Sequence, residues 1–315
     1  MVEPILPSRG EPQSRRPLLG YAMVLAAATL FAVNGAVSKV ILASGLSSLR
    51  LAQVRSTGAL AGLVVGLALA SPGRLRVRRA ELPLLAAFGI GGLALVQWFY
   101  FVAIHRLMIG IALLIQYLAP LLVALWARFV YHEHVRRRIW VALALALSGL
   151  TLVVGIWNGV ELNTLGVAAS LGAACSLALY ILLAERAVAT RDPVSLSTFG
   201  FLFATIFWAV VQPWWSFPGS VVGRRVSLLG HLGGVHLPVW ALLAWMIVLG
   251  TIVPFGLVVA SLRHIAATRA GIAAMLEPPA AAIVAFAWLG ESLGALQLAG
   301  GIVVLAGILL AQSSR

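Results

Sequence analysis

One carboxylate stands inside an otherwise apolar run. Glu277 lies near the middle of the stretch 268–289, directly ahead of Pro278 and Pro279, and is the one acid of nine placed at mid-run. A charge at membrane depth is costly, and such groups usually face a bundle interior or a wet cavity. Glu277 can take a proton or a cation, or hold a substrate ammonium. It can equally serve as a structural hydrogen-bond partner for a neighbouring helix, and residue type alone leaves both readings open. The two prolines remove backbone donors and so free carbonyls able to line a path.

A second set of polar side chains is spread over other apolar runs: Asn34, Gln97, Tyr100, Gln116, Tyr117 and Tyr180. Gln97 and Tyr100 lie three apart and share a helix face, and Gln116 and Pro120, four apart, share another. Amide and phenol groups of this kind can orient a zwitterion while aromatics such as Trp245 and Phe255 cover its apolar part. The competing reading is helix–helix hydrogen bonding, often worth under about 1 kcal/mol. With Glu277 and Trp245 these form the expected substrate-binding set. Lys39 and Arg55, toward the outer ends of their runs, are candidate contacts for a carboxylate, or else snorkel to the interface. Pro120, Pro254 and Pro278 are the expected hinges, since proline bends or breaks a helix.

Other chemistries find little support. His132 and His134 flank Glu133, but three arginines follow at once and would repel a cation. Cys175 is the single cysteine, so neither an internal disulfide nor a thiolate cluster can form. There is no Gly-rich phosphate loop and no His-Glu-x-x-His signature. No cofactor, no metal and no catalytic residue is expected.

The elements that must position these groups follow from composition. The chain has 315 residues, of which 62% are hydrophobic and 10% charged, with mean hydropathy +1.03. A soluble chain keeps about a quarter of its residues charged. Lipid is therefore the expected solvent. The net charge of +13 is spread between apolar runs rather than gathered on one domain, which reads as membrane topology and not nucleic-acid binding. A spanning helix needs about 20 apolar residues. Ten candidates occur, near 18–41, 49–70, 82–104, 108–130, 139–157, 164–185, 194–212, 239–262, 268–289 and 293–311. The polar stretch 1–17 reads as a disordered cytoplasmic tail, although Ser14-Arg15-Arg16 also has the look of a twin-arginine export signal. The long connection 213–238 opens with Trp214, Trp215 and Phe217, which suit the headgroup layer. Gly58, Gly62 and Gly66 form a small-residue stripe on the second span, suited to close packing in the bundle or to a weak homodimer.

Two hairpins match in spacing. Pro120 to Glu133 and Pro278 to Glu291 each cover thirteen positions, and Glu133 to Gly149 and Glu291 to Gly307 each cover sixteen. This indicates an internal duplication. With the N-terminus inside, basic residues in the connections divide fifteen inside to four outside, which puts both termini in the cytoplasm. Five spans per half make the second half enter from the opposite side. The expected fold is thus an all-α integral membrane protein, ten transmembrane helices arranged as two inverted five-helix repeats, 18–157 and 164–311. Glu133 and Glu291 then mark tight turns and read as structural.

The chain resembles the EamA branch of the drug/metabolite transporter superfamily over roughly residues 18–311. The residues carrying the resemblance are Tyr117-Leu118-Ala119-Pro120 with Glu133, Leu276-Glu277-Pro278 with Leu289-Gly290-Glu291-Ser292-Leu293, and Gln297 with Gly300 to Gly307. The first copy is looser, with His134-Val135 in place of the usual polar turn. The resemblance implies export of amino acids or related small metabolites across a bacterial inner membrane, along a path lined by spans 1, 3, 4, 6, 8 and 9. A small-molecule substrate and the lipid bilayer are the implied partners, for a monomer or weak homodimer. A membrane-embedded enzyme, a non-transporting scaffold, and a carrier of nucleotide-sugar or lipid-linked substrates are the alternatives.

Overall fold

The structure, a computed structural model, describes residues 16–70, 73, 76–132, 137–154, 163–188, 191–261, 264–265, 270 and 273–312. Glu133, His134 and nearly all of the expected tail lie outside the described residues. Helices α1 (Pro17–Ala43), α2 (Ser48–Ala70), α3 (Arg79–Arg106), α4 (Ile109–Phe129), α5 (Arg137–Val154), α6 (Thr164–Ala187), α7 (Pro193–Val211), α8 (Val239–Val258), α9 (Glu277–Leu289) and α10 (Ala295–Gln312) follow in order. Among the described residues seven of these, α1–α4 and α6–α8, are long and apolar enough to cross a membrane. The other three contain shorter apolar helices, Trp140–Val153, Glu277–Leu289 and Ala295–Leu310.

Local chemistry sets the helix ends. Asn163 accepts from the Gly166 amide to cap α6, and Asp192, followed by Pro193, accepts from the Ser195 amide to cap α7. Gly290, at φ +73°, closes α9 in the left-handed conformation that glycine adopts without strain. The run expected at 268–289 is interrupted by a turn at Met275 and Leu276, which follows helical Ala273 and Ala274. Pro278 and Pro279 have no N–H to continue a preceding helix, so the chain restarts at Glu277. Span α4 breaks in the same way, with a turn at Tyr117 and Leu118 just ahead of Pro120.

The packing repeats under exchange of the halves. Helix α1 lies on α8 and α9, while α6 lies on α3 and α4; α2 pairs with α7, and α5 with α10. The correspondence reaches single residues. A Cβ on Gly149 would sit 2.7 Å from the Gly300 carbonyl oxygen, and one on Gly307 would sit 2.7 Å from that of Ala142. Gly20 faces His264 and Ile265, as Gly166 faces Arg106 and Leu107. Helix α3 is wound as a π-helix over Phe88–Ala94, and α8 over Val248–Ile252. These segments sit at matching places in the two halves. The glycine stripe of α2 is used within the bundle: Gly58 and Gly62 face the side chains of Ile247 and Ile252 on α8, while Gly66 has nothing within 4 Å.

The 213–238 connection folds back onto helix ends. It carries a hairpin of β1 (Arg225–Ser227) and β2 (His236–Pro238), with Val226 opposite Leu237. Trp288 Nε1 donates to the Leu228 carbonyl at 2.8 Å, which ties the hairpin to α9. Arg50 donates to the Pro213 and Ser216 carbonyls at 3.2 and 3.0 Å and lies over the Phe217 ring. Of the aromatics expected at the headgroup layer, Trp215 is 90% exposed, whereas Phe217 packs on the core.

The α5–α10 contact yields the first prediction. Gly307→Val places methyl groups against the α5 backbone and should cost about 1–3 kcal/mol. Gly66→Ala, in open space, should stay within about 0.5 kcal/mol. Melting temperatures in detergent should separate the two.

Candidate functional site

A cavity of about 370 Å³ lies in the bundle, walled by both halves. Helix α1 contributes Phe31 and Asn34, α2 Arg55, α3 Gln97 and Tyr100, and α4 Gln116 and Tyr117. From the second half come Tyr180 on α6, Phe201 on α7, Phe255 on α8 and Glu277 on α9. Seven of the eight expected substrate-binding residues therefore share one space. Trp245 does not: it is absent from the cavity lining and packs against the apolar core. A more voluminous groove of about 490 Å³, between α1, α9 and α10, is lined by Leu25, Met275, Leu276, Leu305 and similar side chains. It holds no charged group and is chemically blank, so the smaller, polar cavity is the candidate site.

Backbone geometry makes the room. Asn34 sits against Gly250 of the α8 π-segment, too close to allow a Cβ there. Tyr180 occupies the equivalent place in the other half and packs against Gly92 of the α3 π-segment, where a Cβ would come within 3.1 Å. The helix breaks contribute too. Pro120 and Pro278 cannot donate to the carbonyls of Gln116 and Ala274, four residues earlier, and both of those residues line the cavity. At the α4 break Tyr117 reaches across, and its hydroxyl donates to Glu277 Oε2 at 2.8 Å.

The cavity is rich in free acceptors. Gln97 Nε2 donates to the Leu93 carbonyl at 3.0 Å, but Gln97 Oε1 has no donor. Asn34 Oδ1 and Gln116 Oε1 are buried without one as well. An unmet buried acceptor costs about 1–3 kcal/mol. Three such oxygens beside a carboxylate suit a ligand that brings N–H or O–H groups.

The two basic candidates have separate places. Arg55, expected toward the outer end of its span, is in the cavity wall and buried. Its Nε donates to Thr251 Oγ1 at 3.0 Å, and its guanidinium lies over the Phe101 ring. Lys39 is absent from the cavity lining and ion-paired with Glu291. It also donates to the Leu107 carbonyl at 2.9 Å, and Glu291 Oε2 accepts from the Ile109 amide at 2.9 Å. A carboxylate does meet Lys39, but the chain itself supplies it. Glu291, expected to stabilise its own turn, instead caps the start of α4. Pro254 follows the α8 π-segment after Val253, and its neighbour Phe255 lines the cavity. Phe31 and Phe201 also line it and were not foreseen, because a phenylalanine in an apolar run has no distinguishing mark. Among the described residues no group of three or more His, Cys, Asp or Glu could hold a metal.

The profile of the EamA-like transporter family matches residues 18–155 and 164–312. The threonine/homoserine exporter RhtA of Salmonella typhimurium strain LT2 is 28% identical over 271 residues, covering 81% of this chain and 77% of its own. Its counterpart in Escherichia coli K12 is 27% identical over 260 residues, with the same shares covered. An uncharacterized transporter of Archaeoglobus fulgidus is 28% identical over 212 residues, covering 67% and 70%. One crystal structure superposes with TM-score 0.57 over 93% of this chain and 95% of its own, at 17% identity, which shows a shared fold.

The Lys39–Glu291 pair joins α1 to the α9–α10 turn and, through Leu107 and Ile109, to the α3–α4 connection. Glu291→Gln keeps an acceptor for Ile109 but removes the charge opposite Lys39. It should lower stability by about 1–3 kcal/mol, read as a drop in detergent melting temperature. Glu185→Gln, at an exposed position, should leave the melt within about 0.5 kcal/mol of the parent.

Proposed function

Because this chain belongs to the EamA-like transporter family, we propose that it is a secondary transporter exporting amino acids or related small metabolites across a bacterial inner membrane. It is a multi-pass membrane protein, with seven helices long and apolar enough to span among the described residues. The observation that carries the proposal is the cavity itself. Asn34, Gln97, Tyr100, Gln116, Tyr117, Tyr180 and Glu277 come from five helices of two halves and meet at one space. Polar groups at membrane depth either pair with one another or face a wet path, and here three amide oxygens that line the space have no partner.

In this reading all ten apolar helices cross the membrane, as two inverted repeats with both termini in the cytoplasm. The exchange-symmetric packing of α1 on α8 and α6 on α3 supports it. So do the matched breaks in α4 and α9, since discontinuous helices at a repeat interface are where carriers place their sites. Alternating access follows from bending at Pro120 and Pro278, with Pro254 beside the π-segment of α8 as a third joint. The cavity walls exchange contacts on one side while the other opens, and the substrate stays near the midplane. Glu277 is the coupling group, and Tyr117 holds its carboxylate until substrate or a proton replaces that hydrogen bond. The exporters named among the relatives act on threonine and homoserine, and small hydroxylated amino acids suit the unmet amide oxygens here.

The test is efflux from proteoliposomes loaded with a panel of labelled amino acids, threonine and homoserine included. The protein should move at least one above empty vesicles. Glu277→Gln should lose at least tenfold in rate and all acceleration by an imposed pH gradient. Failure of every amino acid to move would overturn the proposal.

A further inference from the structure

Arg55 and Glu277 line the same cavity, yet no ion pair joins them. A buried charge without a counter-charge is expensive, and cations in low dielectric are normally paired. Glu277 is engaged by the Tyr117 hydroxyl instead. Among the described residues Arg55 makes only neutral contacts: Thr251 Oγ1 at 3.0 Å, the Gly250 carbonyl at 3.5 Å from Nη2, and the Phe101 ring. Its Nη1 donates to no described residue.

The protein goes to some length to hold the guanidinium there. Pro254 has no N–H to give to the Gly250 carbonyl, four residues earlier, which leaves that oxygen facing Arg55. Thr251 donates its hydroxyl to the Met246 carbonyl at 2.9 Å, so its lone pairs point toward Arg55 Nε. Gly250 and Thr251 both belong to the π-segment of α8, where the Thr251 hydroxyl reaches a carbonyl five residues earlier.

We propose that Arg55, positioned by Thr251 and Gly250, is the carboxylate-binding group of the cavity, and that substrates are α-amino acids carried as zwitterions. The carboxylate lies at Arg55, whose planar fork matches it. The ammonium lies toward Glu277 and the free oxygens of Asn34 and Gln116. The edge-packed rings of Phe31, Phe201 and Phe255 border the remaining side chain. A ligand with both charges satisfies two groups that the protein leaves apart. An amine without a carboxylate leaves Arg55 unmet and should be rejected. This inference rests on the exporter reading and adds the ligand's orientation to it.

Counterflow of labelled threonine into proteoliposomes carrying the full chain tests it. Unlabelled threonine should compete, and threoninol, which lacks the carboxylate, should compete at least tenfold less well. Arg55→Gln should raise KM at least tenfold and erase the difference between the two competitors. Thr251→Val should raise KM severalfold with kcat largely kept, and Thr251→Ser, which retains the hydroxyl, should recover most of that loss. If wild-type protein were inhibited equally by both compounds, or if folded Arg55→Gln kept the parental KM, the carboxylate assignment would be wrong while the exporter reading stood. Absence of transport of every labelled amino acid by the wild type would sink both. The threoninol comparison needs no variant, so it decides the matter even if Arg55→Gln fails to fold.

Discussion

The constraint on which the rest of this structure depends is the cost of a charge in hydrocarbon. A carboxylate and a guanidinium are both held deep among apolar helices, where water cannot solvate them freely. Each must find partners inside the bundle or line a space that water and ligand can enter. The fold answers with the second solution. Glu277 keeps one hydrogen bond from Tyr117, and Arg55 keeps Thr251, but both also face the cavity. Eight helices, α1–α4 and α6–α9, contribute to the wall of that space, and the two opposite charges face it without an ion pair between them.

Room for this comes from residues defined by what they lack. Prolines without an N–H break α4 and α9 one turn ahead of Pro120 and Pro278, and leave carbonyls of lining residues without their helical donors. Glycines without a Cβ let Asn34 press onto α8 and Tyr180 onto α3. Both of those glycines fall in π-wound segments, where one residue more per turn shifts the register of the helix face. The same device occurs at corresponding positions in each half. A single ancestral solution to helix crossing, used twice, accounts for the pattern more simply than two separate inventions.

Much of the site was readable from the sequence because the signal was one of contrast. Asn34, Gln97, Gln116 and Glu277 stand out against apolar neighbours, and a polar group in lipid has few places to go. The spacing of Pro120 and Pro278 likewise showed where the helices would be interrupted. Partners were not readable. Nothing in the sequence tells that Lys39 meets Glu291 across 252 positions, or that Arg55 sits beside Thr251, because such pairs depend on how helices from different halves are rotated. Trp245 was placed in the cavity on its aromatic type, but an aromatic in an apolar span packs equally well on either face. The lining phenylalanines were hidden for the same reason. The hairpin of the 213–238 connection escaped notice because its strands are only three residues each, too short for an alternating pattern.

The two halves share a backbone plan but not a chemistry. Glu277 corresponds to Ala119 in the first half, so the carboxylate that lines the cavity has no copy there. Lys39 corresponds to Glu185, so the ion pair with Glu291 has no copy among the described residues of the other end. A different clasp is found there: Arg191 pairs with Glu81, donates to the Arg76 carbonyl at 2.9 Å and lies over the Phe199 ring, joining the starts of α3 and α7. Each of these two ends is thus held by a basic and an acidic side chain drawn from different elements. An ion pair there can open without exposing apolar surface, because water solvates both charges once they part, whereas an apolar seal would expose surface at a cost proportional to its area.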